Sequence, residues 1–219
     1  PPHFASSSMG SQAYVRAPVV PLERTDLMIC MDLVGHSFGG ATMPTNVQQT
    51  LFALGAERSA GTPMLVDGLA ESVPGVRVRR ADAEIIPPLS DYLAFWERQV
   101  PFLFLTAGRW RHYHRPTDTP EKLDYPKMDA TARWLTSLVR QACVADHQRQ
   151  FLPSVRDDVS TLHALCAIVE PLAPASAHAS KGLSQIRQLL GACDGQGRLA
   201  ESRRPELAML LGELEAALA

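Results

Sequence analysis

Residues 27–34 read Leu-Met-Ile-Cys-Met-Asp-Leu-Val, an apolar stretch that a single carboxylate interrupts and that Gly35 follows. So short and apolar a run predicts a strand buried on both faces, as in a parallel sheet. A second run of this kind, Phe-Leu-Phe-Leu-Thr-Ala over residues 102–107, follows Pro101. The two runs predict central strands of a sheet that other layers enclose.

Helical patterns alternate with these strands. We predict helices over residues 46–58, 91–99 and 126–146, the last with apolar side chains on one face. The first is favoured by the capping-box spacing of Thr45 and Gln48.

A third strand is predicted over residues 76–80, where Val-Arg-Val-Arg-Arg alternates at first in the manner of an edge strand. Strands that alternate with helices predict an α/β fold with a partial, mostly parallel sheet flanked by helices. About three strands are fewer than the usual five or six per sheet, and an edge would stay open. We therefore expect that strands are missing from this chain or that a partner covers the edge.

The chain after residue 150 shows only helical patterns, with three stripes of apolar residues punctuated by Pro and Gly. We predict two units, an α/β unit over residues 1–150 and a helical extension over residues 151–219. The extension is expected to pack on the α/β unit or on a second copy, which would make a homo-oligomer.

Composition and charge exclude some classes of protein. Lys and Arg total 21 and Asp and Glu total 23, a net charge of -2, so no basic excess favours nucleic-acid binding. No apolar run approaches the roughly 20 residues that span a bilayer. The four cysteines form no CxxC pair, so we expect buried, reduced thiols and no structural zinc site built from cysteine.

Two carboxylates are candidates for function. Asp32 lies near the carboxyl end of a predicted strand, where ligands bind in open α/β sheets, and a buried carboxylate is costly unless it is paired or binds a metal. A structural carboxylate and a metal ligand both remain open on this basis. Asp91, in Ser-Asp-Tyr-Leu-Ala-Phe, is most simply the cap of the helix that follows.

The polar segment 112–120, His-Tyr-His-Arg-Pro-Thr-Asp-Thr-Pro, follows the second buried strand. Imidazole is a common zinc ligand when a carboxylate orients its free nitrogen, and Asp118 or Asp91 could orient His114. Tyr113 could stabilise an oxyanion. The alternative is a polar loop without chemistry.

Taken in order, four motifs between about residues 4 and 141 resemble the zinc aminopeptidase family of the zinc exopeptidase superfamily, whose relatives include glutaminyl cyclase and glutamate carboxypeptidase. The motifs are MGSQAYV, ICMDLVG, SDYLAFW followed by VPFLFLTAG, and YHRPTDTPEKLDY. The resemblance implies a three-layer, phosphorylase/hydrolase-like fold that binds one or two zinc ions at the carboxyl ends of its strands.

The resemblance also implies roles for single residues. Asp32 and His114 would be zinc ligands, Tyr113 would stabilise the oxyanion, and Asp91 would support the metal site from outside the ligand set. The position after Asp91 is often His in this family and is Tyr92 here, which changes that local contact.

The His-x-Asp segment, the bridging Asp and the Glu-Glu pair of the family are not found in this chain. We therefore expect the C-terminal half of a catalytic domain that would need the missing N-terminal half as its partner to hydrolyse the N-terminal residues of peptide substrates. By itself it is expected to be inactive. The alternatives are a glutaminyl cyclase-like acyltransferase and a non-catalytic interaction module.

Overall fold

The computed structural model describes residues 9–88, 90–144 and 148–218. Its strands and helices follow in chain order, and short 3-10 turns join several of them: α1 (Met9–Arg16), β1 (Met28–Met31), α2 (Thr45–Gln48), β2 (Thr50–Leu54), α3 (Thr62–Leu69), β3 (Arg77–Ala81), α4 (Tyr92–Trp96), β4 (Phe102–Thr106), α5 (Tyr125–Cys143), α6 (Asp158–Val169), α7 (Ala177–Leu190) and α8 (Arg204–Leu218). Within these described ranges, no helix combines the length and the apolar character needed to cross a membrane.

The four strands form one mixed sheet in the order β1-β4-β2-β3. Strand β1 runs parallel to β4, with Met28 beside Phe102 and Met31 beside Leu105. Strand β2 runs parallel to β3 and antiparallel to β4. The predicted α/β fold is confirmed, and β3 is the edge strand that its alternating sequence indicates.

The predicted helix over residues 46–58 is wrong. Helix α2 ends at Gln48, no side chain caps it, and strand β2 follows at once. All but one residue of β2 are buried, because the strand lies between β4 and β3 in the middle of the sheet. Burial between two strands outweighs the local capping-box signal, since helix propensity is a weak preference. The strand ends at Gly55, whose φ of 89° suits glycine and which lies against the ring of Phe102.

The two faces of the sheet carry separate apolar cores. One face presents Leu51 and Leu103 to helices α3 and α5, where Trp134 is fully buried. The other face presents Phe102 and Phe104, on whose rings Tyr92 of α4 stacks at centroid distances of 5.2 and 4.8 Å. Residues of one strand therefore alternate between the two cores, as the pleat of a strand requires.

Helices α6, α7 and α8 form the predicted helical extension and share an apolar core of their own. Helix α6 packs on strand β3, and the hydroxyl of Thr161 accepts a hydrogen bond of 2.9 Å from the backbone N–H of Asp82. Arg80 of β3 forms an ion pair with Asp157, the residue that caps α6. These contacts join the extension to the sheet. The division into two units at residue 150 stays a prediction.

The four cysteines are free thiols, and Cys143 is exposed because it lies at the carboxyl end of α5. Cys166 and Cys193 are half-buried, so the expectation of four buried thiols is correct only for Cys30.

Replacement of Trp134 with Ala should lower the free energy of unfolding by about 3–5 kcal/mol, because it empties a fully buried site. It also removes the hydrogen bond of 3.0 Å from the indole N–H to the carbonyl of Leu69. Val139→Ala, on the exposed face of the same helix, is the matched control and should change stability by less than about 0.5 kcal/mol. Urea denaturation followed by circular dichroism measures both. Equal effects of the two substitutions would contradict this packing.

Candidate active site

The candidate site lies where the parallel strands β1 and β4 end. Asp32 directly follows β1, and its backbone N–H donates a hydrogen bond of 3.0 Å to the carbonyl of Leu105. One residue further, the N–H of Ala107 donates to the carbonyl of Leu33 at 3.1 Å. The pairing of the two chains thus continues past the strands and brings Asp32 and the loop after β4 to one edge of the sheet, as the sequence predicted.

Two residues at this edge have left-handed backbone conformations. Leu33, next to Asp32, has a φ of 57°, and His114 has a φ of 54°. Of the described residues other than glycine, Gln99 alone shares this property. A positive φ is unfavourable for a residue with a side chain, above all for a bulky one, and such strain clusters at functional sites. The strain therefore marks both segments from which ligands are predicted.

A cavity of about 520 Å³ opens at the same edge of the sheet. Asp32 and Tyr113 both line it, and both are half-buried. The structure therefore brings the predicted carboxylate ligand and the tyrosine predicted to stabilise the oxyanion to one cavity.

His114 lies beside this cavity and is exposed. Its ring stacks on that of Tyr113 with centroids 3.9 Å apart, and the guanidinium of Arg109 lies over the Tyr113 ring, 5.5 Å from its centroid. Among the described residues, neither Asp118 nor Asp91 hydrogen-bonds to His114, so the structure does not bring an orienting carboxylate to this imidazole.

Asp91 occupies the N-cap position of α4, but its side chain is exposed and makes no capping hydrogen bond. Its neighbours face the cavity instead. The hydroxyl of Ser90 lies 3.4 Å from the thiol of Cys30, and Tyr92 is 1 % exposed. The predicted supporting role of Asp91 is therefore not tied to a contact with the cavity.

Sequence reasoning missed the side chains that support the loop after β4. The buried ring of His36 stacks on Trp110 at 4.7 Å, and the ring of Trp110 meets His112 edge-on at 4.8 Å. Lys127 is buried beneath, and its ammonium group donates to the carbonyls of His36 and Thr50 at 2.9 and 2.8 Å. The lysine lies where α5 approaches β2, a contact that depends on the strand that the sequence did not reveal.

Burial shifts the pKa values of His36 and Lys127, which support the loop after β4. It lowers the pKa of His36 to about 4, with a further contribution from the nearby Lys127 charge. Burial likewise lowers the pKa of Lys127 to about 8. The neutral imidazole under Trp110 is therefore the form that the fold favours near neutral pH.

A metal site needs several donor side chains close together. In residues 9–88, 90–144 and 148–218, no group of three or more His, Cys, Asp or Glu side chains could hold a metal ion. A catalytic zinc ion usually has three protein ligands and a water molecule. Asp32 and His114 alone therefore do not fit a catalytic zinc ion.

A sheet between helix layers, with a carboxylate and a strained loop at the ends of two parallel strands, has the arrangement in which open α/β folds bind ligands. A sequence profile described as Peptidase family M28 matches residues 6–139. The chain belongs to this family, which confirms the resemblance to the zinc aminopeptidases.

Several individual proteins are similar to this chain over part of their length. The uncharacterized protein YfbL of Escherichia coli (strain K12) is 27 % identical, over 58 % of this chain and 44 % of its own length. Among solved structures, an aminopeptidase from Aneurinibacillus sp. strain AM-1 is similar with a TM-score of 0.49 and 23 % identity, over 64 % of this chain and 31 % of that one. The LapA aminopeptidase of Legionella pneumophila has a TM-score of 0.49 and 14 % identity, over 63 % and 36 %. The chain thus spans less than half the length of each of these proteins.

Replacement of His36 with Phe should remove a pH dependence of stability. Because the folded-state pKa of about 4 lies below the ordinary value of 6.5, the unfolded chain binds the proton first as pH falls. The wild type should therefore lose up to roughly 3 kcal/mol relative to the variant between pH 6.5 and pH 4, since Phe keeps a ring against Trp110 but cannot titrate. Urea denaturation across this range measures the free energy of unfolding of both proteins. Parallel pH profiles of this free energy would contradict the lowered pKa of His36.

Replacement of His114 with Gly should raise the free energy of unfolding by about 1 kcal/mol, because glycine adopts its left-handed backbone without strain. Arg115→Gly, at the exposed neighbour whose φ is not positive, should lower it by roughly 0.5–1 kcal/mol. Thermal denaturation of both variants tests whether the strain exists. Destabilisation of equal size by both would contradict it.

Proposed function

We propose that this chain is part of the catalytic domain of a zinc-dependent aminopeptidase, an exopeptidase that removes N-terminal residues from peptides. Membership of Peptidase family M28 supports a peptidase. One observation supports a particular site: Asp32, which directly follows β1, and Tyr113, in the loop after the parallel strand β4, line one cavity.

The proposed roles follow the position of each side chain. Asp32 and His114 are two ligands of the metal ion, and Tyr113 donates a hydrogen bond from its hydroxyl to the carbonyl oxygen that gains negative charge during hydrolysis. The stack of the His114 ring on Tyr113 ties the positions of these two side chains to each other. The stack of His36 on Trp110, three residues before Tyr113 in the same loop, restrains both.

Asp91 is proposed to act at longer range. Its carboxylate is exposed, next to Ser90 and Tyr92, which line the cavity. A charge there contributes to the negative potential of the site without a direct contact, so its removal should weaken catalysis less than the removal of Asp32.

The remaining parts of the site are proposed to come from outside the described residues. Two ligands do not hold a catalytic zinc ion, and hydrolysis also needs a general base. We propose that the rest of the catalytic domain, paired along the open edge of β1, supplies both. A zinc ion held there would polarise the scissile carbonyl and activate a water molecule.

Zinc titration tests the incompleteness of the site. The chain by itself should bind zinc weakly, with no stoichiometric high-affinity site in isothermal titration calorimetry, and should not hydrolyse an aminoacyl-p-nitroanilide. Tight, stoichiometric zinc binding by this chain that both Asp32→Ala and His114→Ala abolish would contradict the proposal.

Complementation tests the residue roles. Co-expression with a segment that supplies the remaining ligands and base, taken from another family member, should restore zinc binding and hydrolysis. In the complemented protein, Asp32→Ala and His114→Ala should each reduce kcat/KM by at least about a hundredfold. Arg115→Ala, at an exposed position of the same loop, is the matched control and should retain activity within about tenfold. Equal activity of the Arg115 and His114 variants would refute the role of His114.

A further inference from the structure

The helical extension meets the sheet at a group of buried acidic side chains. Glu57, in the 3-10 turn that follows β2, is 4 % exposed, and Asp82, directly after β3, is fully buried. Asp158, in the first turn of α6, is fully buried as well. Three carboxyl groups are thus withdrawn from water at the place where α6 packs on β3, and each needs a hydrogen bond, a cation or a proton there.

Backbone N–H groups hold two of these carboxyl groups. Asp82 accepts hydrogen bonds from the N–H of Glu84 at 2.7 Å and from the N–H of Asp157, the N-cap residue of α6, at 2.6 Å. Glu57 accepts a hydrogen bond of 3.0 Å from the N–H of Ala83, the residue after Asp82. Because Asp82 binds the start of α6 and Glu57 binds the residue next to Asp82, the Glu57–Asp82 pair lies directly at the joint between the sheet and the extension.

Arg58 neutralises this pair only in part. Its guanidinium Nε lies 3.4 Å from the carboxylate of Glu57 but forms no hydrogen bond. The two terminal nitrogens donate instead to the carbonyl of Pro153 and to the carboxylate of Glu84. In the described part of the chain, Arg58 is the only cation in an ion pair with Glu57. One guanidinium therefore serves two carboxylates, and Asp82 adds a third negative charge beside them.

The other charged groups at the joint already have partners. They belong to β3, α6 and α8 and to the segments that lead into these helices, and their ion pairs are Arg80–Asp157, Arg156–Asp158, Arg204–Asp158 and Arg204–Glu84. Arg80 also pairs with Asp67, and Arg156 also pairs with Glu201. Because each of these arginines already contacts two carboxylates, the Glu57–Asp82 pair depends on Arg58.

Burial, with a further contribution from the Asp82 charge, raises the pKa of Glu57 to about 7. Burial also raises the pKa of Asp82. A glutamate that is exposed to water loses its proton near its ordinary pKa of 4.5. The docked joint therefore keeps a proton that an open joint releases between about pH 4.5 and pH 7. Docking is strongest at the acid end of this range and weakens as the pH rises through it.

We propose that the Glu57–Asp82 pair is a pH-sensitive joint, which keeps α6 docked on β3 while Glu57 is protonated and loosens when Glu57 ionises. Loss of this proton to solvent puts a second negative charge beside Asp82, with only Arg58 to serve both. Two like charges in a buried place destabilise the docked state relative to a state in which α6 has separated and water reaches both carboxylates.

The joint also controls a wall of the cavity at the candidate site. The match to the peptidase family ends at residue 139, yet Leu165 of α6 and Leu211 of α8 line the cavity together with Asp32. Separation of α6 removes this wall, because α6 and α8 share one apolar core. The extension therefore closes the cavity at acid pH and opens it to solvent at alkaline pH.

Hydrogen–deuterium exchange of the whole chain tests this joint. Mass spectrometry at pH 5 and pH 8, corrected for the intrinsic pH dependence of amide exchange, measures the opening of each helix. The opening equilibrium constant of α6 should rise at least about tenfold from pH 5 to pH 8. Complete return of the Glu57 pKa from about 7 to 4.5 would limit the rise to about 300-fold. Helix α5, on the other face of the sheet, is the internal control and should change by less than about threefold.

Glu57→Gln tests the residue. The amide oxygen of Gln can still accept the hydrogen bond from the N–H of Ala83, but the side chain cannot ionise. The opening of α6 should therefore differ by less than about threefold between the two pH values. Glu71→Gln is the matched control, because Glu71 is an exposed carboxylate that pairs with Arg77 at the opposite end of β3. This variant should keep the wild-type response.

The proposal is overturned if α6 of the wild type opens equally at both pH values, or if α5 opens in step with it. It is also overturned if Glu57→Gln keeps the wild-type response, or if Glu71→Gln loses it to the same extent. If Glu57→Gln does not fold, the comparison of α6 with α5 in the wild type decides the question. Neither zinc nor turnover enters the experiment, so its outcome does not depend on the proposed peptidase function.

Discussion

The parallel pairing of β1 with β4 is the constraint on which the rest of the site depends. Its register sets Met31 beside Leu105, and the hydrogen bond from Asp32 to Leu105 extends the pairing beyond the strand. A slip of one residue would turn the side chains of β1 to the opposite face of the sheet and would move Asp32 away from the cavity. The loop after β4 starts from the same pairing, so the positions of Tyr113 and His114 depend on it as well. Trp110 and His36 then restrain that loop from the side of α5.

The helical extension contacts both the sheet and the loop of the candidate site. Helix α6 joins the edge strand through Thr161 and Asp82, and α8 reaches back to the loop of the candidate site through Glu215 and Arg109. The match to the peptidase family ends at residue 139, before these helices. Residues inside and outside the matched region therefore both line the apolar cavity. A concave space lined by side chains from several packed elements is a common place for a ligand.

The sequence predicted those elements of the fold for which only one local pattern was present. The apolar runs that became β1 and β4 had no competing helical pattern, and both are confirmed. Strand β2 was predicted as a helix because Thr45 and Gln48 gave a local capping signal, whereas its burial between two strands depends on contacts distant in the chain. For the same reason the sequence did not reveal Lys127 under His36, or the cavity wall at Leu211. Asp32 and Tyr113 were placed at one edge by the rule for strand ends, but the orientation of His114 depends on a strained backbone that no pattern announces.

The central proposal is that Asp32 and His114 bind the same metal ion or two adjacent ones. The most direct measurement is a crystal structure of the complemented protein, with anomalous diffraction recorded on both sides of the zinc absorption edge. We expect a zinc peak at the end of β1 within about 2.0–2.2 Å of a carboxylate oxygen of Asp32, and an imidazole nitrogen of His114 at a similar distance from that peak or from a second one beside it. Zinc peaks that touch neither side chain, or only His114 at a site remote from the cavity, would contradict it.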